Sequence, residues 1–282
     1  MRSPVQSFDF HCHSNVSDGF LPPEALVAQA AERGIKHLAL TDHDDVGGLA
    51  RAHDTARALG MRFTRGVEIS TGWEGASIHL VGLDFDPANP ELLAGLATIR
   101  EGRITRAKKM GDLLAEVCIP GTYEGALRHA SNPSLISRAH FARYLVEIGV
   151  FREPKKVFTR YLAPGKPGYV HYETAQAFEC LSWIKAAGGI AVVAHPGRYD
   201  MNGAAMQRFL SRFKEEGGEA IEVSSSSHTP NHTRHFAQLA RKFGFYASGG
   251  SDFHGPPESF AHLGEFAPIP EDLPCVANLF KD

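Results

Sequence analysis

Three short histidine-containing segments limit most strongly what this chain can fold into. They are residues 10–14 (FHCHS), 41–44 (TDHD) and 251–254 (SDFH). Each directly follows an apolar, strand-like run, so imidazole and carboxylate groups stand where a strand ends and a loop begins. In an α/β barrel such strand ends converge on one face, where residues distant in sequence share a pocket. Neutral imidazole and carboxylate oxygen together suit borderline divalent metals. The pattern predicts a multi-metal hydrolase.

Composition and charge narrow the class of protein. With 282 residues, 43% of them hydrophobic, the chain can form one α/β barrel or two smaller domains. The net charge is −3 and no basic block occurs, which argues against an extended nucleic-acid-binding surface. The 4 cysteines lack CxxC spacing, as is typical of a reducing compartment. No apolar run suggests a leader or a membrane span. We therefore expect a cytoplasmic protein, without a membrane or protein partner.

Strand-like and helical patterns alternate along most of the chain. The runs that predict strands are residues 7–11, 37–40, 62–68, 77–83, 190–194, 220–223 and 246–248. The segments that predict helices between them are 22–31, 46–59, 175–187, 204–216 and 231–243. From residue 91 to about 158 the apolar spacing is helical throughout, which interrupts the alternation. The sequence therefore predicts an α/β barrel built from residues 1–90 and 166–282, with residues 91–165 inserted as a helical subdomain.

Nine polar residues at, within or just after these strands are candidate metal ligands: His11, His13, Asp18, His43, Glu68, His79, His195, Asp252 and His254. Residues i and i+2 of an extended segment face the same side, so His11 and His13 can hold one ion. Glu68 would be costly to bury without a metal or strong donors, although it could instead be a surface residue at a strand edge. His43 is either a ligand or a residue that orients one. Neighbouring aspartates suit loop capping or orientation of an imidazole: Asp42, Asp44 and Asp45. Each residue alone has a structural explanation, but the whole set favours a metal site.

Six segments together resemble the PHP (polymerase and histidinol phosphatase) family of the amidohydrolase superfamily: HCHSNVSDG, LTDHD, GVEIS, IHLVG, AHPGRY and SDFHG. The similarity covers roughly residues 8–86 and 174–256 and is strongest to stand-alone nucleotide phosphoesterases. It implies a distorted (βα)7 TIM-like barrel. It also implies up to three divalent metal ions, with manganese preferred and iron, zinc or magnesium as alternatives.

The resemblance also implies how the ligands are shared. A first ion would be bound by His11, His13, Glu68 and Asp252, a second by Glu68, His79 and His195, and a third by Asp18, His43 and His254. Every ligand of the family pattern is present. This favours a working enzyme over the metal-poor PHP modules that are attached to some polymerases.

Substrate selection is expected to depend on arginines, most of them in the helical insert. Arg103 and Arg106 fall at helical spacing, and a second candidate pair, Ser137 and Arg138, follows a proline-containing break. The planar guanidinium group binds phosphate well, although arginines on a helix are more often solvated. By resemblance, Arg103, Ser137 and Arg138 would bind a 5'-phosphate that is not cleaved. Arg198 would contact the phosphate that is transferred.

These features predict a metal-dependent phosphatase that removes the 3'-phosphate of nucleoside 3',5'-bisphosphates through a metal-bridged hydroxide. The predicted substrate is a small nucleotide, and short oligonucleotides would react slowly. Three alternatives stay open: a 5'-3' exonuclease, a phosphatase for a small metabolite such as histidinol phosphate, and a non-catalytic metal-bound module that supports a polymerase. No residue can be assigned as the proton donor to the leaving group.

Overall fold

The computed structural model describes residues 4–171, 175–255 and 261–281. Seven strands form one sheet in the order of the sequence: β1 (Phe8–Asp9), β2 (His37–Leu40), β3 (Arg62–Trp73), β4 (Ala76–Leu83), β5 (Ile190–Val193), β6 (Ala220–Ser225) and β7 (Tyr246–Gly250). The first and last strands lie side by side, and the Phe10 amide donates to the Gly249 carbonyl at 3.2 Å. Just beyond them, Cys12 pairs with Phe253. The sheet is therefore a nearly closed barrel, which confirms the predicted α/β barrel.

Strand β4 runs antiparallel to both of its neighbours, whereas the other neighbouring strands pair in parallel. It follows β3 through a tight hairpin in which Glu74 and Gly75 have φ of 46° and 80°. Positive φ at both central residues is typical of the two-residue turn that matches the twist of paired strands. As a result, the beginning of β4 lies at the rim where the other strands end. His79 on β4 faces Ser70 of β3 across the register.

Helices cover the outside of the barrel: α1 (Pro23–Glu32), α2 (Leu49–Ala58), α7 (Ala177–Ala186), α8 (Gly203–Glu215) and α9 (Pro230–Phe243). Each buries an apolar face, as α1 does with Leu26, Val27 and Ala30. The prediction that α2 begins at residue 46 was wrong by three residues. Gly47 and Gly48 precede the helix, and the Asp45 side chain accepts from the Gly47 amide in a local turn. None of the helices in the described ranges is long and apolar enough to cross a membrane.

The helical stretch contains α3 (Pro90–Glu116), α4 (Thr122–His129), α5 (Arg138–Glu147) and α6 (Pro154–Val157), and α6 continues into a π-helical turn, Phe158–Leu162. The first half of α3 packs into the barrel core through Leu92 and Leu96. Its second half belongs to a separate apolar cluster, where Leu114 meets residues of α5 such as Phe141. The predicted division at residue 91 thus falls at the start of a helix that serves both cores. The division into two domains stays a prediction.

Candidate metal centre

Glu68 lies at the middle of the predicted ligands and is completely buried in β3. One of its oxygens, Oε1, lies 2.7 Å from His79 Nδ1 and 2.8 Å from His195 Nε2. The other, Oε2, lies 3.1 Å from His11 Nε2, 3.2 Å from His13 Nε2 and 3.2 Å from His43 Nδ1. β3 is unusually long, so it carries this carboxylate across the rim where the other strand ends supply imidazoles. A single carboxylate therefore connects five histidines.

The remaining predicted ligands join the same cluster from the last strand and the first loop. Asp252 follows β7, and its Oδ1 lies 3.1 Å from His13 Nε2. His254 reaches Asp18, with 3.3 Å between Nε2 and Oδ1. Both aspartates are buried or nearly so. All nine predicted ligands are thus gathered at one end of the barrel.

Three groups within the cluster have ligand atoms within 4.8 Å of one another: His11, His13, Glu68 and Asp252; His43, Glu68 and His79; and His13, Asp18, His43 and His254. The first group has the same members as the ligand set that the resemblance implies. The second group contains His43 in place of the implied His195, although His195 also contacts Glu68 through Nε2. In the third, His13 is added to the implied residues. The sharing of ligands among individual ions stays a prediction.

Several buried atoms of the cluster are suited to bind cations. Among the described residues, His11 Nε2, His43 Nδ1 and Glu68 Oε2 are buried and make no well-aligned hydrogen bond, although the two ring nitrogens lie within 3.2 Å of that oxygen. Burying polar atoms without partners is costly, and such atoms in a native protein indicate a missing ion, water or catalytic role. Imidazole nitrogen with carboxylate oxygen is the donor set of Zn²⁺, Mn²⁺ and Fe²⁺ sites. The residues present therefore fit divalent metal ions.

The pKa shifts within the cluster also favour the binding of cations. Burial alone would raise the pKa of Glu68, but His43, His11 and His79 hold it well below its usual range. Burial opposes charge on His13 too, yet its bonds to Asp252 and Glu68 raise its pKa to about 10. The two shifts are reciprocal, because positive imidazole favours the ionised form of a neighbouring carboxyl and ionised carboxylates favour the protonated form of a neighbouring imidazole. The site favours cations.

Glu222 on β6 is a residue of the cluster that the sequence reasoning missed. It is buried, and its two oxygens accept from His11 Nδ1 at 2.6 Å and from the His195 amide at 2.5 Å. A carboxylate that accepts from one ring nitrogen leaves the other free to bind a metal. The sequence carries the same signal here as at Glu68, because Glu222 is a carboxylate between the apolar residues Ile221 and Val223 of a buried strand.

Two aspartates of the loop after β2 stabilise the surroundings of the metal centre through hydrogen bonds, as predicted. Asp42 accepts from the hydroxyls of Ser14 at 2.6 Å and Ser17 at 2.7 Å, which fixes the loop between His13 and Asp18. Asp44, next to His43, accepts from Arg103 Nε at 2.6 Å.

Four of the five predicted substrate residues line one cavity: Arg103, Arg106, Ser137 and Arg138. The same cavity is lined by the ligands Asp18, His43 and His79, so it joins the helical insert to the metal centre. The guanidinium of Arg103 also bonds to Asp44 and to Ser70, at 2.7 Å from the serine hydroxyl. The fifth residue, Arg198, lies in the turn after β5 and pairs with Asp252 at 2.5 Å.

A seven-stranded barrel with carboxylates and imidazoles at one rim defines a class, that of the metal-binding α/β-barrel hydrolases. Residues 9–226 match the model of the PHP domain, and the chain belongs to this family. The predicted family is confirmed.

Relatives with described activities are similar over almost the whole chain. The chain is 47% identical over 274 residues to a 3',5'-nucleoside bisphosphate phosphatase of Chromobacterium violaceum, with 97% of this chain and 95% of that protein covered. It is 41% identical over 252 residues to a 5'-3' exoribonuclease of Haemophilus influenzae, with 89% and 91% covered. A solved amidohydrolase structure from Chromobacterium violaceum, determined with bound sulfate, has a TM-score of 0.93 at 45% identity, over 97% of this chain and 95% of that one.

Proposed function

We propose that this protein is a metal-dependent phosphatase that removes the 3'-phosphate of nucleoside 3',5'-bisphosphates. One observation carries the proposal: a single cavity is lined both by residues of the metal centre and by Ser137, Arg106 and Arg138. A substrate with two phosphates matches this arrangement, because one phosphate meets the metal centre and the other meets the arginines. The relative with 47% identity, described as a 3',5'-nucleoside bisphosphate phosphatase, supports this choice of substrate.

The residues that would hold the ions are the nine predicted ligands, arranged for up to three ions with manganese preferred. Ions bound there would act as Lewis acids that activate water and neutralise charge on the phosphate. The chain itself keeps the ligands in order. Glu222 accepts from His11 Nδ1, which leaves the Nε2 lone pair directed toward Glu68. Ser14 and Ser17 hold Asp42, and Arg143 donates to the Asp18 carbonyl at 2.7 Å, so the loop that carries Asp18 is fixed on both sides.

The phosphate that is not cleaved is assigned to the beginning of α5. Ser137 is the N-cap residue of this helix, where the positive end of the helix dipole favours an anion. Burial and the nearby Arg103 lower the pKa of Arg138, so a phosphate beside it would relieve the unfavourable burial of its charge. Because Arg103 is already bound to Asp44 and Ser70, we assign the direct grip to Arg138 and a lesser share to Arg103.

Arg198 is proposed to contact the phosphate that is transferred. It lies against Asp252, and its side chain is 43% exposed, so it can reach a group at the centre while paired with a ligand. A fixed positive charge beside the metal centre stabilises charge that develops on the phosphate oxygens.

The regiochemistry of the product tests the proposal. Adenosine 3',5'-bisphosphate is incubated with the manganese-loaded protein, and the products are identified by phosphorus NMR. With the 5'-phosphate on Arg138, the 3'-ester faces the metals, so we expect 5'-AMP and inorganic phosphate. If 3'-AMP were the main product, the assigned orientation would be reversed. If histidinol phosphate were hydrolysed faster, the insert arginines would lose their proposed purpose.

A 5'-3' exonuclease is the second candidate, because the relative with 41% identity is described as a 5'-3' exoribonuclease. The same orientation admits a 5'-phosphorylated oligonucleotide whose first 3'-ester is a diester. We expect a 5'-phosphorylated pentanucleotide to react more slowly than the bisphosphate, since the rest of the chain must pass the insert. Faster turnover of the pentanucleotide at equal concentration would favour the exonuclease. A non-catalytic role is less consistent with the similarity to whole enzymes over almost their full length.

A further inference from the structure

One aromatic side chain, Phe158, lies in the wall of the cavity between the insert and the metal centre. It starts the π-helical turn Phe158–Leu162, directly after α6. Its neighbour Val157 and the last residue of the turn, Leu162, are completely buried in the insert core. Phe158 is only half-buried, and it packs against that core from one side. Its ring therefore borders apolar protein on one side and the substrate cavity on the other.

The ring stands beside the proposed phosphate-binding arginine. The guanidinium carbon of Arg138 lies 5.9 Å from the centre of the Phe158 ring, within the range of a cation–π contact. Arg138 also donates to the Leu162 carbonyl at 3.4 Å, at the end of the same turn. The π-helical turn thus positions the ring and the arginine together. Turns of this rare kind are frequent at functional sites.

We infer that Phe158 is the stacking surface for the nucleobase of the substrate, an inference that rests on the proposed function. In a nucleoside bisphosphate the base and the 5'-phosphate are attached to the same ribose. A phosphate on Arg138 therefore brings the base to the neighbouring wall. Every nucleobase offers a flat π-face, so an aromatic ring binds all of them with little preference for sequence. A ring of this kind selects nucleotides over sugar bisphosphates without selecting a particular base.

If Phe158 stacks on the base, removing its ring should impair mainly those substrates that have a base. Phe158→Leu keeps an apolar side chain against the insert core but removes the aromatic face, and Phe158→Tyr keeps that face. For the 3',5'-bisphosphates of adenosine and uridine, we expect Phe158→Leu to lower kcat/KM about 5- to 150-fold, mainly through KM. Phe158→Tyr should stay within about threefold of the wild type, a margin smaller than the loss of one stacked base. With ribose 3,5-bisphosphate, which has no base, Phe158→Leu should lose far less than with the two nucleotides, at most the about threefold that the lost cation–π contact to Arg138 accounts for.

The matched control is Phe151→Leu. Phe151 packs against the same apolar cluster beside Tyr161, with 6.3 Å between the ring centres, so this variant disturbs the insert core alone. Equilibrium binding of 5'-AMP to each protein in chelator provides a readout that does not need the metals. There, too, only Phe158→Leu should bind more weakly.

The experiment distinguishes a stacking role of Phe158, a purely structural role, and failure of the proposed function. A loss that falls mainly on substrates with a base supports the stacking role. Equal losses with and without the base, or the same loss in Phe151→Leu, would overturn it, because Phe158 would then only support the insert. A wild-type protein that hydrolyses no bisphosphate would overturn the proposed function itself, a failure visible before any variant is compared.

Discussion

Replacing Glu222 by glutamine should weaken metal binding even though Glu222 is not among the predicted ligands. The carboxylate uses one oxygen for His11 Nδ1 and the other for the His195 amide. Glutamine offers a single acceptor oxygen, and its NH2 group would face an N–H donor at the second position. One charge-assisted hydrogen bond of about 1.5–3 kcal/mol is therefore lost. At 1.4 kcal/mol per tenfold change, this corresponds to about 10- to 150-fold in affinity for the ion held by His11.

The assay is a titration of the metal-free protein with Mn²⁺ in a metal buffer, followed by bound metal and by phosphatase activity. The control is Glu219→Gln, at the residue before β6, where the carboxylate pairs with Lys185 and accepts from the Ala191 amide at 2.9 Å, so it also has two partners but none at the metal centre. Thermal unfolding in chelator shows whether either variant disturbs the barrel. Unchanged Mn²⁺ affinity in Glu222→Gln would refute the idea that this carboxylate orients His11. Equal weakening in both variants would mean that the effect comes from the strand and not from the hydrogen bond.

Three further predictions address the bridging carboxylate, the phosphate grip and the pH dependence of stability. Glu68→Gln should lose two ions together in elemental analysis, because both of its oxygens meet imidazoles of different groups; loss of a single ion would contradict a bridging role. Arg138→Ala should lower kcat/KM for bisphosphates by about 10- to 150-fold, the value of one charge-assisted bond, while simple phosphomonoesters react almost normally; an equal loss on both would assign Arg138 to the fold or the chemistry. Burial and the nearby Arg62 lower the pKa of His37 to about 4, so the stability that its neutral form supports above about pH 6.5 is lost as the pH falls toward 4. Between pH 7 and pH 5 this loss is at most about 2 kcal/mol, and urea unfolding in chelator should show it as the amount by which the wild type loses more stability than His37→Gln.

The sequence was sufficient for the parts of the site that lie at strand ends. Apolar runs followed by histidine or aspartate predict where a strand stops, and a barrel brings those ends together whatever their spacing in sequence. Glu68 and His79 were recognised because a polar group inside an apolar strand needs a partner. Glu222 meets the same criterion, so the sequence contains the information that predicts it as well.

The direction of β4 and the contacts between segments far apart in the chain were harder to predict. The apolar pattern of β4 is the same whether the strand runs parallel or antiparallel, and only the two-residue turn at Glu74 and Gly75 carries the information that it reverses. The spacing of arginines on α3 predicted a common face. It did not predict that Arg103 would be occupied by Asp44, since that contact joins a helix and a loop that are far apart in the chain.

The continuity of α3 has a consequence for how the protein unfolds and how it can diversify. Its first half is part of the barrel core and its second half is part of the insert core, without a break between them. A helix shared in this way couples the two cores mechanically, so denaturant should melt both in one transition instead of releasing the insert first. The same coupling implies that a grafted insert from another barrel would have to continue the helical phase of residues 100–107, or its arginines would face away from the cavity.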